Sequence, residues 1–311
     1  MSNGSVVAVT SGVRVRATVL IGALALLWGS GFFWIALSLD GFTPVQLTFI
    51  RLALGALVLV PIVLARRLPR PRGPTMWAHL TASALIANAI PYSLFAVAEQ
   101  SVPSSLAGVI NATTPLWTVL IAATARADTR LTPRRGLGVA LGFLGVLVLF
   151  EPWNATRGAE LGGVLACVTA ALSYGVAYVY QSRYLTNRGL SPLTLTAAQL
   201  CMATVLLALV LPVGGGISAQ PAPLALVAVV VLGVIGTGVA LIINFTLIAT
   251  EGPTAASVVT YLVPAVALAL GILILDETAH WTLPLGAALI LVGVALVRRS
   301  AGQQGTASAD Q

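Results

Sequence analysis

Long apolar runs recur along the 311-residue chain, each closed by a short polar or charged break. Stretches such as 52–64 and 258–275 are apolar on every side, so no alternating face is present. A hydrocarbon layer about 30 Å thick takes about 20 helical residues per crossing. The runs therefore predict ten crossings, near 17–38, 45–65, 75–97, 102–124, 134–150, 161–183, 192–212, 224–247, 254–275 and 282–299. Barrel strands would alternate apolar and polar residues over about 10 positions. Helices are predicted instead, because a backbone in lipid must satisfy its hydrogen bonds internally. The fold class expected is an all-α polytopic membrane protein.

Composition agrees with lipid as the solvent. Charged residues are 8% of the chain and hydrophobic ones 58%, against roughly 25% charged in a soluble domain. The net charge of +7 does not form one basic surface, so no nucleic-acid partner is expected. All sixteen basic residues are arginines, and fourteen fall at breaks on one predicted side: Arg14, Arg16, Arg66, Arg67, Arg70, Arg72, Arg126, Arg130, Arg134, Arg135, Arg183, Arg188, Arg298 and Arg299. Arginine excess marks the cytoplasmic side. A multi-pass inner (plasma) membrane protein with both termini cytoplasmic follows. The turn before the ninth crossing carries Glu251 and no arginine, so there helix parity alone sets the side.

A cleaved signal peptide is the alternative for the start, since Arg14 and Arg16 precede an apolar stretch. That stretch reaches Leu39 and contains Trp28 and Trp34, longer than a hydrophobic signal region of about 7–15 residues. Cys167 and Cys201 lie within predicted crossings at no metal-ligand spacing and are assigned to packing.

The two halves of the chain repeat one another. Trp28-Gly29, Phe32 and Trp34 return as Tyr174-Gly175, Tyr178 and Tyr180. Thr43-Pro44 with Arg51 seven residues on returns as Ser191-Pro192 with Gln199. Ala107, Pro115 and Asp128 return as Ala256, Pro264 and Glu277, and Gly138 and Gly145 as Gly286 and Gly293. Five crossings per half is an odd number, so the second copy is expected upside down relative to the first. The division expected is a tail over 1–16, a five-helix repeat over 17–150, a connecting loop over 151–160, a second, inverted repeat over 161–299, and a disordered tail over 300–311.

These residues carry a resemblance. Leu27-Trp28-Gly29-Ser30, the segment Pro44 to Arg51, the paired Pro115 and Pro264, and the acidic turns Ala127-Asp128 and Asp276-Glu277 before glycine-rich helices resemble the EamA family of the drug/metabolite transporter superfamily. The resemblance spans 17–299. It implies ten helices, of which the fifth and tenth are peripheral while the others surround a central cavity. Such families usually carry glutamate in both acidic turns, and Asp128 departs from that pattern.

A midplane site should appear as polar or aromatic side chains stacked on helix faces. Trp28, Phe32, Arg51, Asn88, Tyr92, Asn111, Thr114, Trp117, Tyr174, Tyr178, Thr237, Asn244 and Tyr261 are the candidates for substrate binding; interhelical packing is the alternative role for each. Arg51 stands out because it cannot shed its proton and an arginine in a helix interior costs about 2.5–3.5 kcal/mol. Counted from Pro44, it lies about 10 Å below the outer surface. It is expected to line the outer pathway, with Glu99 as one possible partner.

Absences narrow the function. No Asp, Glu or His falls at the predicted midplane, so strong proton coupling is not expected. Glu99, Glu251, His79 and His280 read as hydrated groups near helix ends. Without any lysine there is no phosphate-binding loop of the Gly-x-x-x-x-Gly-Lys type and no ATP-driven transport by this chain. No cofactor or metal is expected. Pro115 and Pro264, each inside a helix, are expected to kink it. Gly138, Gly142 and Gly145 form a small-x-x-x-small face for a neighbouring helix or for a homodimer; a monomer is the alternative.

The reading is a secondary transporter that moves small metabolites, exporting amino acids or similar amphipathic solutes, by alternating access around a midplane cavity. A channel would call for rings of like charge, and a membrane enzyme for clustered acids, histidines or an activated nucleophile. Neither pattern is present, and a phosphorylated substrate would need more basic side chains than Arg51 alone.

Overall fold

Two turn chemistries start the membrane helices. At Thr43 the hydroxyl accepts the Gln46 N–H at 3.4 Å while Gln46 Oε1 accepts the Thr43 N–H at 3.0 Å, a reciprocal cap that fixes the start of α2 (Pro44–Ala65). Its counterpart Ser191 accepts the Thr194 N–H at 3.1 Å and opens α9 (Pro192–Val210). In both, proline occupies the first turn, where its missing N–H costs nothing. The structure, a computed structural model, describes residues 3–124, 133–150, 158–186, 188–212, 221–244, 246–247, 259–278 and 280–307, with the backbone alone for 3–17, 135, 150, 158–159, 260–261 and 297–307.

The described residues are helical throughout their ordered elements. α1 (Asn3–Leu39) precedes α2; α3 (Pro74–Ala84), a π-helical turn (Leu85–Ala89) and α4 (Ile90–Ala98) form one continuous rod. α5 (Ser104–Asn111) and α6 (Thr114–Thr124) follow, then α7 (Pro133–Phe150), α8 (Gly158–Tyr184) and α9. α10 (Pro223–Val230) passes through a second π-helical stretch (Val231–Val239), and α11 (Val259–Ile274) and α12 (Thr282–Ala307) complete the order. Among the described residues, seven helices are long and apolar enough to cross a membrane: 18–39, 44–65, 74–98, 104–124, 160–184, 192–210 and 223–244. Three shorter apolar helices among the described residues lie at 136–149, 262–274 and 282–296.

Three features differ from the expectations. The backbone of α1 is helical from Asn3 and that of α12 to Ala307, so the helices run on into both segments expected as tails. The helix holding Pro115 is not kinked but interrupted, at Ala112–Thr113. Proline offers no N–H to the Asn111 carbonyl, which accepts the Thr114 hydroxyl at 2.8 Å instead, and the Thr113 hydroxyl takes the Ile110 carbonyl at 2.7 Å. Finally, the glycine face of α7 is not open for a homodimer. A methyl on Gly145 would lie 2.8 Å from the Gly286 carbonyl, and one on Gly293 would strike the Gly138 carbonyl, so α7 and α12 consume each other's small faces within the chain.

Contacts define two ends. At one, His79 near the start of α3 meets Tyr180 near the end of α8 at 2.7 Å; Arg66 and Arg67 follow the end of α2 here, and Arg188 the end of α8. At the other, Glu277 binds Ser104, the start of α8 packs on Ser101 and Val102 through Gly163, and Gly41 packs on Pro221 and Ala225. α1 thus ends, and α8 begins, at this acidic end. α1 packs on α10 and α11, α8 on α4 and α6, and α2 on α9. Leu57, Leu209 and Leu273 point outward, 67%, 73% and 78% exposed, an apolar rim suited to lipid.

Candidate functional site

Arg51 sits seven residues into α2, about 10 Å from its first turn. Its Nε donates to Thr237 Oγ1 at 2.9 Å, and its guanidinium lies 4.0 Å over the Tyr92 ring. The expected pairing with Glu99 is not made: neither Glu99 oxygen accepts a hydrogen bond. A hydroxyl and an aromatic face satisfy the arginine in part without neutralising it.

Around it the rings form a chain. Tyr92 meets Tyr174 edge-on at 6.4 Å, Tyr174 stacks on Phe95 at 6.2 Å, and Phe95 meets Phe32 edge-on at 5.4 Å. These residues come from α1, α2, α4 and α8, with Thr237 from the second π-helical stretch. Both π-helical segments border the group, and each widens the helix and leaves backbone groups to be satisfied otherwise. In the first, Pro91 removes a donor, and Ser173 of α8 donates to the Ile86 carbonyl at 2.7 Å. Asn88 in the same turn is buried, with Oδ1 left without a partner. In the second, Thr237 donates to the Leu232 carbonyl at 3.0 Å while accepting from Arg51.

The remaining candidates divide. Trp28 is half-buried, packed against the buried core that includes Leu24 and Phe32. Trp117 packs edge-on against Phe143 at 4.7 Å, its Nε1 buried and unpartnered. Thr114 is buried and bonded to Asn111. Tyr178, one turn beyond Tyr174 on α8, is 58% exposed. Asn244 is half-buried near the end of its helix. The Tyr261 side chain and Asp128 lie outside the described residues.

The acidic end holds a corner that sequence reasoning misread. Glu277 accepts three hydrogen bonds, from Ser104 N–H at 2.7 Å, Ser104 Oγ at 2.8 Å and Ser105 N–H at 3.1 Å. It caps α5 from a turn 173 residues away, an anion on a helix N-terminus. Glu99, in the turn just beyond the span ending at Ala98, is not the hydrated group expected. Both its oxygens are shut off from solvent without a partner, because α8 closes over this turn through Gly163. Burial, and then the Glu277 charge, push its carboxyl well above the ordinary carboxylate range, and Arg51 opposes them.

At the arginine-rich end His79 is not simply hydrated either. It bonds Tyr180 and stacks on Tyr184 at 4.8 Å. His280, in the turn before α12 at the acidic end, is exposed. Next to Tyr180 on α8, Gln181 Nε2 donates to Ser83 Oγ at 2.9 Å and to Gln199 Oε1 at 3.2 Å. A cavity of about 610 Å³ opens there between α8 and α9, lined by Gln181, Thr186, Leu190, Thr196 and Gln199 among others. None of the thirteen candidates lines it. The available signal was the repeat itself, since Gln199 occupies the place of Arg51. Among the described residues no group of three His, Cys, Asp or Glu could hold a metal.

Known proteins resemble the chain along most of its length. The sequence model of the EamA-like transporter family matches residues 16–151 and again 161–299. The "Uncharacterized inner membrane transporter YedA" of Escherichia coli K12 is 28% identical over 278 residues, 88% of each chain. The "Uncharacterized transporter YdfC" of Bacillus subtilis is 25% identical, over 91% of this chain and 89% of its own. A solved structure titled "Crystal structure of protein" has the same fold, with a TM-score of 0.63 at 24% identity over 91% of this chain and 97% of that one.

Proposed function

Because the chain belongs to the EamA-like transporter family, we propose that it is a secondary carrier in which two oppositely inserted five-helix halves, 17–150 and 161–299, rock around the Arg51 group. The single observation that carries this reading is Arg51 itself. It lies two turns deep in an apolar helix, held by a hydroxyl and a ring, with no carboxylate among the described residues bonded to it. An intramembrane charge left without an ionic partner marks a pathway, and a guanidinium binds a carboxylate through paired, charge-assisted bonds.

The solute is a small amphipathic metabolite with one carboxylate, an amino acid or a relative, exported from the cell. The Tyr92, Tyr174 and Phe95 rings offer its apolar part a surface, and the orphaned Asn88 Oδ1 offers an acceptor. Phosphorylated solutes are disfavoured, since among the described residues Arg51 is the one cation in the group.

Packing supports the two inverted halves with ten crossings. A methyl on Gly29 would lie 2.5 Å from Val266 Cβ, and one on Gly175 2.7 Å from Trp117 Cβ. Trp117 and Val266 each stand two residues after the paired prolines, so one contact occurs twice. The π-helical segments recur at matching places, and the α7–α12 contact is its own mate. The cavity beside Gln199 is open at the arginine-rich end while Glu277 clasps α5 at the other, as a rocking carrier requires of one pose. Arginine bias puts the cavity's mouth and both termini in the cytoplasm.

The test is flux through purified full-length protein in liposomes, with a panel of labelled amino acids, nucleosides and amines. Saturable movement of a carboxylate-bearing solute is expected, with Arg51→Gln about ten-fold slower, the worth of one charge-assisted bond. Flux that never saturates would favour a channel, and unchanged kinetics in Arg51→Gln would remove Arg51 from the pathway.

A further inference from the structure

The corner at the acidic end contains two carboxyl groups and donors enough for one. Glu277 takes the Ser104 and Ser105 N–H groups and the Ser104 hydroxyl. Glu99 receives nothing, and its two oxygens are sealed from solvent. Ser105 Oγ, in the same first turn of α5, is buried without a partner as well. The titratable groups that act on Glu99 or are acted on by it come from three other elements: Glu277 from the turn before α12, Arg51 from α2, and Cys167 from α8. Arg51 is engaged by Thr237 and Tyr92, and Cys167 is fully buried. A carboxylate that is buried, unpartnered and beside a second, fully bonded anion is the member of the pair that keeps its proton.

We propose that Glu99 is a proton-binding site, loaded while the acidic end is closed and discharged when that end opens, so that solute movement is coupled to proton movement. The step balances simply. On opening, water enters and the Glu99 carboxylic acid gives its proton to it, leaving a carboxylate that water and the nearby Arg51 charge stabilise. After reclosure the carboxylate regains a proton from water that enters from the arginine-rich side, leaving hydroxide there, so that one proton crosses per cycle. The sequence shows no acid at the midplane, but coupling needs only an acid deprotonated towards one side and reprotonated from the other, and Glu99 takes that role from the rim. The coupling rests on the carrier reading; the protonated state does not.

Two measurements separate them. The first is infrared titration of the full-length protein in liposomes, with no solute. A protonated-carboxyl band that persists at neutral pH is expected, lost in Glu99→Gln and retained in Glu277→Gln and Glu99→Asp. Its absence from the wild type, or survival in Glu99→Gln, overturns the site whether or not the protein transports. The second is flux of any solute the liposome panel identifies, with and without an imposed pH gradient. Several-fold acceleration by the gradient is expected in the wild type, with Glu99→Gln still exchanging solute but indifferent to the gradient. A wild type indifferent to pH but accelerated by a sodium gradient, or by neither, overturns the coupling. Glu99→Gln mimics the neutral acid, so its folding, checked by monodisperse elution, is expected to match the wild type.

Discussion

An arginine held by a hydroxyl and an aromatic face is a demanding residue to replace. Lysine at position 51 would keep the charge and lose both the Nε–H that Thr237 accepts and the flat surface that lies on Tyr92. Arg51→Lys is therefore expected to fold and to lose about ten-fold in flux, equivalent to about 1.4 kcal/mol; wild-type rates in the liposome assay would contradict it. Glu277→Gln retains an acceptor and loses the charge that α5's first turn binds, and thermal unfolding in detergent should show a loss of about 1–2 kcal/mol. Glu99 gives a pH dependence whose sign follows from its raised pKa. The folded state holds this proton more tightly than the unfolded chain does, so the associated stability is present in acid and is lost as pH rises through the folded value. Wild-type melting temperature should fall on the alkaline side, while Glu99→Gln, with no proton to lose there, should lack that component and melt about 2 °C higher. Arg51 could be found from the sequence because a charge inside an apolar run is visible without a fold. The burial of Glu99 could not, because it is made by Gly163 of α8 closing over a turn that looks polar in isolation.

At the scale of helices, two kinds of break organise the molecule: π-helical turns and a proline interruption. Pro115 was visible, but its effect was not, since whether proline kinks or severs a helix depends on what satisfies the freed carbonyls. Here Thr113 and Thr114 do so locally. Pro115→Ala would restore the missing donor, and it is expected to raise thermal stability slightly while slowing flux, if the interruption serves movement; unchanged flux would reduce it to a fixed shape. The α7–α12 seam is a pure packing device. Gly293→Ala places a methyl against the Gly138 carbonyl, where backbone must shift, and a cost of about 1–3 kcal/mol is expected. The glycines themselves were legible as a close-approach face. Which partner filled it was not, because a small-residue face carries no address.

For the molecule as a whole, the repeat is the organising fact. The pairs Trp28/Tyr174 and Arg51/Gln199 were readable as spacing, while the interlocking of each half's first helix with the other half's later helices is a property of packing that no local pattern contains. The halves are not equivalent in detail. Arg51 reaches Thr237, whereas Gln199 accepts from Gln181 beside a cavity, an asymmetry that the proposed rocking of the two halves requires of any one pose. The central claim is that the two halves enter the membrane in opposite senses. It is tested most directly by single cysteines at the exposed, repeat-related turns, Asp40→Cys and Thr186→Cys, in a background with Cys167→Ala and Cys201→Ala, labelled in intact cells by a membrane-impermeant maleimide. The inverted arrangement predicts labelling of the first variant in intact cells and of the second only after permeabilisation; labelling of both from the same side would contradict it.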